Sequence, residues 1–235
     1  MNAGAVLVGQ ATTTPASQRE RKTLSVGSYV DEDGYVQNAG FALRKIAALE
    51  KGGMDGPVAI VLHRTDSSNL QSPLQSFEKG IGTHFIVDKD GTVYQTASLL
   101  KRTHHVGRIK SRCMDSGSCS AEESKLIRSW GWAPGKVHDH EKKKSYPERY
   151  PMNADSVGIE VVADHDGSRW EAPTSAQSQA IAAVVTILKA EYGITDDDIY
   201  EHDKISYKTA GEGAGLYDVA PVEPASRVRP SGSVP

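Results

Sequence analysis

His63 and Glu160 are the residues whose types and surroundings most clearly indicate chemistry in this sequence. His63 follows the apolar run 58–62, and Glu160 lies inside a second apolar run, 156–163. Both runs have the composition of buried strands. Polar groups presented by a rigid strand are well placed for binding or catalysis. We therefore expect these two side chains to take part in binding or catalysis at one site.

His202 is a second histidine of the same kind, since it follows a long predicted helix and a short link. The alternative for His63 and His202 is a role in the core, with their hydrogen bonds satisfied there. Two neutral imidazoles on different elements suit zinc, which takes about four ligands and keeps one position open for water in a catalytic site. The sequence has no His-Glu-x-x-His segment, the usual arrangement of metalloproteases.

The composition is that of an ordinary globular protein. The chain has 235 residues, of which 38% are hydrophobic and 24% charged, and its net charge is −3. This length favours one catalytic domain, and the charge does not indicate binding to nucleic acid. No apolar run is long enough to span a bilayer. Residues 1–18 lack the basic start and apolar core of a secretion signal.

Cys113 and Cys119 are the two cysteines, and five residues separate them in a loop-like segment. This spacing predicts a small disulfide loop. Free thiols and a zinc role are the alternatives, and a metal cluster would need further cysteines nearby.

The folded unit is predicted to span residues 26–218. Residues 1–25 and 219–235 are rich in polar residues or proline and lack periodicity, which predicts disordered ends. Residues 39–50 contain good helix formers before a glycine pair, which predicts a helix. A strand is expected directly after it, at 57–63.

The centre of the sequence contains a predicted hairpin, because two β-rich runs within 83–96 flank an Asp-Lys-Asp-Gly turn. Residues 103–155 have mixed composition, and we expect an excursion there that shapes a groove. Within it, the sequence predicts a short helix near 121–130 and a solvated charged loop at 138–144.

The strongest helix signal lies at 175–192, where apolar residues recur at helical spacing before Gly193. It follows the predicted strand at 156–163. The order helix, strand, hairpin, strand and helix indicates an α/β (α+β) fold, with a central mixed β-sheet flanked by helices in a single domain.

Taken together, these segments resemble the zinc-dependent N-acetylmuramoyl-L-alanine amidases of type 2. That family includes phage endolysins, cell-wall recycling amidases and peptidoglycan recognition proteins. The matching segments are, in order, Leu62-His63-Arg64-Thr65, Gly82-Thr83-His84 through Tyr94, His105-Val106-Gly107, Ser156 through Glu160, and His202 followed by Lys208 and Thr209. The resemblance covers about residues 55–218.

The resemblance implies a role for each matching residue. His63 and His202 match the two zinc-binding histidines, and Glu160 matches the carboxylate that handles the proton of the attacking water. Lys208 matches the residue that stabilises the oxyanion. His105 matches a histidine that lines the substrate cleft.

Two positions depart from the family pattern. Thr83 stands where some relatives have a tyrosine, so we expect it to line the substrate-binding cleft while catalysis rests on the carboxylate. Relatives place the third zinc ligand, an Asp or Cys, two residues after the lysine, where this chain has Ala210. The next oxygen ligands are Glu212, in a flexible glycine-flanked triplet, and Asp218; Glu212 is the preferred one.

The resemblance therefore implies Zn²⁺-dependent hydrolysis of the amide bond between N-acetylmuramic acid and L-alanine in peptidoglycan. A non-catalytic peptidoglycan-binding module is the main alternative, and a zinc peptidase acting elsewhere in the stem is another. Because the substrate lies outside the cytoplasm and no signal peptide is visible, we expect a phage lysin or an injected antibacterial effector that acts in the periplasm or cell wall. An effector would have an immunity protein as its partner.

Overall fold

The computed structural model describes residues 27–54 and 56–218. The predicted disordered ends, 1–25 and 219–235, lie outside the described residues. Within the described part, no helix combines the length and apolar character needed to cross a membrane.

A six-stranded mixed sheet forms the centre of the described chain. Its strands, in spatial order, are β3 (Ala42–Leu43), β6 (Val93–Gln95), β5 (Phe85–Val87), β7 (Ser156–Val161), β4 (Ala59–Arg64) and β8 (Ile199–Glu201). Strands β5, β7, β4 and β8 are parallel to one another, whereas β6 and β3 run in the opposite direction. A separate hairpin pairs β1 (Tyr29–Val30) with β2 (Val36–Gln37).

The α-helices of the described residues vary from one turn to five. They are α1 (Gln71–Glu78), α2 (Arg112–Ser116), α3 (Ala121–Ser129), α4 (Pro134–Glu141), α5 (Ser175–Tyr192) and α6 (His202–Ile205). Short 3-10 turns occur at Ala47–Leu49 and Asp196–Asp198.

Helices cover both faces of the sheet, so the predicted α/β (α+β) fold with a central mixed sheet is confirmed. Ile60 and Leu62 of β4 pack in one core cluster with the apolar side of α5, whereas Ile86 of β5 packs with α1 on the other face. Side chains alternate between the faces along a strand. His63 and Glu160 follow residues of the α5 face, so both point away from α5.

Helix α5 is the longest helix of the described chain and spans the residues that the sequence predicts. Thr174 and Gln177 form a capping box at its start, which satisfies backbone N–H groups that the first turn leaves unpaired. Gly193 ends it with a φ of 69°, the left-handed conformation that glycine adopts at low cost. Ile181 and Leu188 are fully buried, and such a side chain contributes about 1.5–3 kcal/mol to folding.

The strands predicted at 57–63, within 83–96 and at 156–163 are confirmed, but the helix predicted at 39–50 is wrong. Strand β3 and the 3-10 turn Ala47–Leu49 occupy that segment instead. The Arg44 N–H donates to the Gln95 carbonyl at 2.9 Å, which continues the pairing of β3 with β6. Pairing with a strand some fifty residues away thus overrides a helix propensity that is only local.

The excursion at 103–155 contains α2, α3 and α4, and the short helix predicted near 121–130 is confirmed as α3. The charged loop predicted at 138–144 is wrong, because α4 includes its first half. Pro134 stands in the first turn of α4, where its missing N–H costs nothing. Glu141 is fully buried and accepts a 2.8 Å hydrogen bond from Lys144.

Cys113 and Cys119 form a disulfide, as the sequence predicts. The bond joins α2 to the loop that leads into α3. The backbone N–H groups of Ser118 and Cys119 both donate to the Cys113 carbonyl, so hydrogen bonds and a covalent link close the same turn.

Candidate metal centre and active site

The structure brings His63 and His202 together at one edge of the sheet. His63 is the fifth residue of β4, and His202 follows the last residue of β8. Strands β4 and β8 are parallel neighbours with Leu62 opposite Glu201, so the next residue of each strand is also adjacent. The two ring centroids are 4.1 Å apart, and both side chains are buried.

Glu212 completes a cluster of three possible metal ligands. Its Oε1 lies 2.7 Å from Nδ1 of His202 and 3.6 Å from Nδ1 of His63. The three atoms all lie within 4.8 Å of one another. Asp218, the other candidate for the third ligand, is exposed and does not belong to this cluster.

The loop that carries Glu212 is held by hydrogen bonds from two sides. Asp203 accepts the backbone N–H of Gly211 at 2.8 Å and that of Gly213 at 3.2 Å. On the other side, Arg64 donates to the carbonyls of Gly211 and Glu212 at 3.1 and 3.0 Å. Both clamping residues are buried. No role was predicted for either residue from the sequence.

The hydrogen bonds of His202 leave a lone pair facing Glu212. Its Nε2 lies 2.9 Å from the Val106 carbonyl, which can only accept, so Nε2 carries the proton of the neutral ring. Nδ1 then presents its lone pair to a carboxylate oxygen 2.7 Å away. Two acceptor atoms at this distance require a cation between them, either a proton or a metal ion.

The donor set fits zinc. Two imidazole nitrogens and one carboxylate oxygen are among its usual ligands, and bonds of about 2.0–2.2 Å in a tetrahedron separate ligand atoms by roughly 3.4 Å. The Nδ1 to Oε1 distances of 3.6 and 2.7 Å bracket this value. The fourth tetrahedral position would be supplied by water or substrate, as in catalytic rather than structural zinc sites.

The protonation states also suit a metal. Burial, and next the charge of His202, lower the pKa of His63 to about 3, although Glu212 opposes them. Burial raises the pKa of Glu212, but its contacts with His202 and His63 outweigh burial and hold the pKa well below its usual range. A neutral imidazole and an ionised carboxylate are the forms that bind metal, so the proton left to displace is one held between Glu212 and His202.

Glu160 stands beside this cluster, since it is the register partner of His63 across β4 and β7. Burial, and next the charge of Glu212, raise the pKa of Glu160 to about 8, while Lys208 acts in the opposite direction. Lys208 is exposed. Both residues line the same 330 Å³ pocket as His63, His202 and Glu212, so the five residues that the sequence singled out for metal and catalysis lie together.

The two predicted substrate contacts have different surroundings. His105 lines the pocket, but its ring is buried and its Nδ1 lies 3.1 Å from Nε2 of His63. Thr83 is fully buried, and its hydroxyl donates to the Phe85 carbonyl at 2.8 Å. It is not among the residues that line the pocket.

Trp170 forms a wall of the pocket, a role that was not predicted from the sequence. Its indole N–H donates to the Ala210 carbonyl at 3.0 Å, which places the ring over the loop that follows Lys208. Trp170 also lines a neighbouring open cleft of 600 Å³ with Lys89 and Arg169. A lone tryptophan after the Glu160 strand was the only signal for this position.

The pocket joins a His-His-Glu cluster to a carboxylate with a raised pKa and to an ammonium group. This combination is typical of one class of protein, the hydrolytic enzymes on an α/β scaffold. Sequence comparison specifies the class further. The profile of N-acetylmuramoyl-L-alanine amidase matches residues 53–213, and the chain therefore belongs to this family of peptidoglycan amidases. A search of curated proteins gave no match.

Several solved structures are similar to this chain at low identity. The endolysin amidase LysCS from Clostridium intestinale URNW is 19% identical with a TM-score of 0.44, over 74% of this chain and 88% of its own. A selenomethionine derivative of AmpD is 16% identical with a TM-score of 0.48, over 80% and 93%. AmiD from E. coli, in complex with anhydro-N-acetylmuramic acid-L-Ala-D-gamma-Glu-L-Lys, is 15% identical with a TM-score of 0.43, over 75% and 57%.

Proposed function

We propose that this protein is a zinc-dependent amidase that hydrolyses the bond between the lactyl group of N-acetylmuramic acid and the L-alanine of the peptidoglycan stem. The observation that carries the proposal is the position of the His63, His202 and Glu212 cluster in the pocket that Glu160 and Lys208 also line. Membership of the amidase family supports the same substrate.

His63, His202 and Glu212 are the residues that would hold the metal. Zinc, when bound there, supplies a Lewis acid that lowers the pKa of water and polarises a carbonyl. The clamp formed by Arg64 and Asp203 keeps the third ligand in place. The protein thus provides a prearranged set of ligands rather than one that forms on binding.

Glu160 moves the proton in this mechanism. It accepts a proton from the attacking water as the new carbon–oxygen bond forms, and it then delivers this proton to the amide nitrogen as the carbon–nitrogen bond breaks. A carboxyl with a raised pKa is suited to both steps, because it is a stronger base than an ordinary carboxylate and still a usable acid near neutral pH. The carboxylate returns to its starting state when the amine leaves.

Lys208 stabilises the negative charge that develops on the amide oxygen. Its side chain lines the same pocket, and its charge acts to lower the pKa of Glu160 against the larger effects of burial and of Glu212. A positive group that is in place before the charge develops favours the transition state over the bound substrate.

Incubation of the purified full chain with a muropeptide tests the proposal. We expect release of an intact stem peptide that begins with L-alanine, identified by mass, and loss of this product with a chelator or in Glu160→Gln. The exposed Glu148→Gln is the matched control, and it should leave the product unchanged. Binding without any product would favour the non-catalytic module, and cleavage at another stem bond would favour the peptidase.

The proposal places the activity outside the cytoplasm, where peptidoglycan lies. The disulfide between Cys113 and Cys119 supports it, because such bonds persist mainly in oxidising compartments. Expression in a Gram-negative host with an added export signal should lyse the cells, whereas expression without that signal or with His63→Ala should not. Lysis by the His63→Ala protein would contradict the proposal. An effector role with an immunity protein as partner stays a prediction.

A further inference from the structure

The ring of His105 lies directly behind His63, and its hydrogen bonds determine which of its nitrogens carries the proton. The Ser156 hydroxyl donates to the Met152 carbonyl at 2.8 Å, so its oxygen has only lone pairs left for other partners. This oxygen and the Ser156 carbonyl both face Nε2 of His105 at 3.3 Å. Two acceptors on one nitrogen require that Nε2 of His105 carries the proton.

This proton determines the state of His63 in turn. The ring of His105 is buried, and its hydrogen-bond partners include no carboxylate, so a second proton on Nδ1 would leave a buried charge without a counter-charge. The ring is therefore neutral, and its Nδ1 has a lone pair. Nε2 of His63 lies 3.1 Å from that Nδ1 and must donate to it. The lone pair of His63 is then on Nδ1, the atom 3.6 Å from Oε1 of Glu212.

The surroundings of His105 hold the ring in this position. Its own backbone N–H and that of Val106 both donate to the Asn153 side-chain oxygen, at 3.0 and 2.8 Å. On the opposite side, a Cβ at Gly158 would lie 2.8 Å from Nδ1 of His105, so only glycine leaves room for the ring. Packing against the His105 ring thus explains why residue 158, two residues before Glu160, is a glycine.

We propose that His105 is a positioning residue, which fixes His63 as the tautomer protonated on Nε2 and so directs the lone pair of Nδ1 toward Glu212 and His202. This role replaces the substrate contact expected for it. The value of the arrangement for zinc rests on the proposed function, since a ligating histidine binds through one nitrogen while the other donates to a fixed acceptor. The tautomer itself is a property of the protein without metal.

Nuclear magnetic resonance of the full chain with ¹⁵N-labelled histidine, in a chelator near neutral pH, reads the tautomer directly. We expect the shifts of His63 to show a protonated Nε2 and a bare Nδ1. In His105→Phe this preference should be lost, and in His105→Asn, whose side-chain oxygen can replace Nδ1 as acceptor, it should be restored. His104→Phe changes the exposed neighbour and should leave His63 as it is.

Zinc affinity, measured by competition with a chromophoric chelator, is the second readout. We expect zinc to bind about 10- to 100-fold more weakly to His105→Phe, with His105→Asn nearer to the wild type and His104→Phe equal to it. Rescue by Asn separates positioning from packing, because Asn restores the acceptor but not the ring.

The results separate this proposal from the proposed function. A wild-type His63 protonated on Nδ1 overturns the positioning role, as does His105→Phe with unchanged tautomer and zinc affinity. This test holds even where His105→Phe fails to fold, because the wild-type spectrum is decisive alone. The protein could instead show the expected tautomer of His63 but bind no zinc or cleave no muropeptide. That result would uphold the positioning of His63 and overturn the proposed enzyme mechanism.

Discussion

Asp203 is the residue whose removal most directly tests whether the Glu212 loop is prearranged for metal. Asp203 touches none of the three cluster atoms, but its two carboxylate oxygens accept the N–H groups of Gly211 and Gly213. Asp203→Ala removes both hydrogen bonds, whereas Asp203→Asn keeps one acceptor oxygen. The backbone carbonyl of residue 203, which accepts from Lys110 at 2.6 Å, is unchanged in both variants.

The magnitude follows from these contacts. Each hydrogen bond to a charged group contributes about 1.5–3 kcal/mol, and the site is buried, so Asp203→Ala should lower the free energy of unfolding by about 3–6 kcal/mol as an upper range. Loss of support for a metal ligand weakens binding about 10- to 100-fold. Asp203→Asn should lie between Asp203→Ala and the wild type in both measurements.

Two assays on the metal-free full chain check this expectation. Denaturant unfolding in a chelator gives the stability, and competition with a chromophoric chelator gives the zinc affinity. Glu212→Ala serves as the reference, because it removes a ligand without touching the clamp. Zinc affinity that is unchanged in Asp203→Ala but lost in Glu212→Ala would refute the reasoning, since Glu212 would then find its position without the clamp.

Three further predictions concern other parts of the site. Burial lowers the pKa of His84 to about 4, whereas an unfolded histidine titrates near 6.5. The neutral ring therefore contributes about 3 kcal/mol of stability above pH 6.5, and this contribution should be lost as the pH falls to 4. Denaturant unfolding in a chelator at stepped pH measures the loss. Gly158→Ala places a Cβ 2.7 Å from the Thr83 methyl and should destabilise the chain by about 1–3 kcal/mol, measured by the same unfolding. Trp170→Ala removes a pocket wall and should raise KM for a muropeptide roughly 10-fold with little change in kcat, a loss within the range for an aromatic side chain that a bound partner covers. Steady-state kinetics measures both constants, and a fall in kcat with unchanged KM would contradict this expectation.

The elements that could be predicted from the sequence are those whose signals are local. Helix α5 has its cap, its apolar stripe and its glycine stop within twenty residues, so both ends were correct. Strands β4 and β7 are apolar on both faces because helices cover both sides of the sheet, and such runs indicate buried strands. The hairpin of β5 and β6 has its turn residues between the two strands.

The parts that could not be predicted depend on pairings between distant segments. Residues 39–50 have helix-forming residues, but β3 exists because β6 offers it a partner. The spatial order of the strands is likewise a property of the whole sheet. Arg64 directly follows His63 in the sequence, but nothing in the neighbouring residues indicates that its side chain reaches the carbonyls of a loop almost 150 residues away.

The third ligand shows most clearly how distant contacts determine local chemistry. Counting from Lys208 leads to Ala210, which has no ligand atom, and the sequence alone favoured Glu212 without excluding Asp218. The chain turns back after Lys208, because the N–H of Glu212 donates to the Thr209 carbonyl at 3.2 Å. Gly213 then approaches the backbone of β8 so closely that a Cβ there would lie 2.6 Å from Cα of Glu201. A glycine is therefore needed one residue after Glu212, and this close approach is what carries the carboxylate to His202.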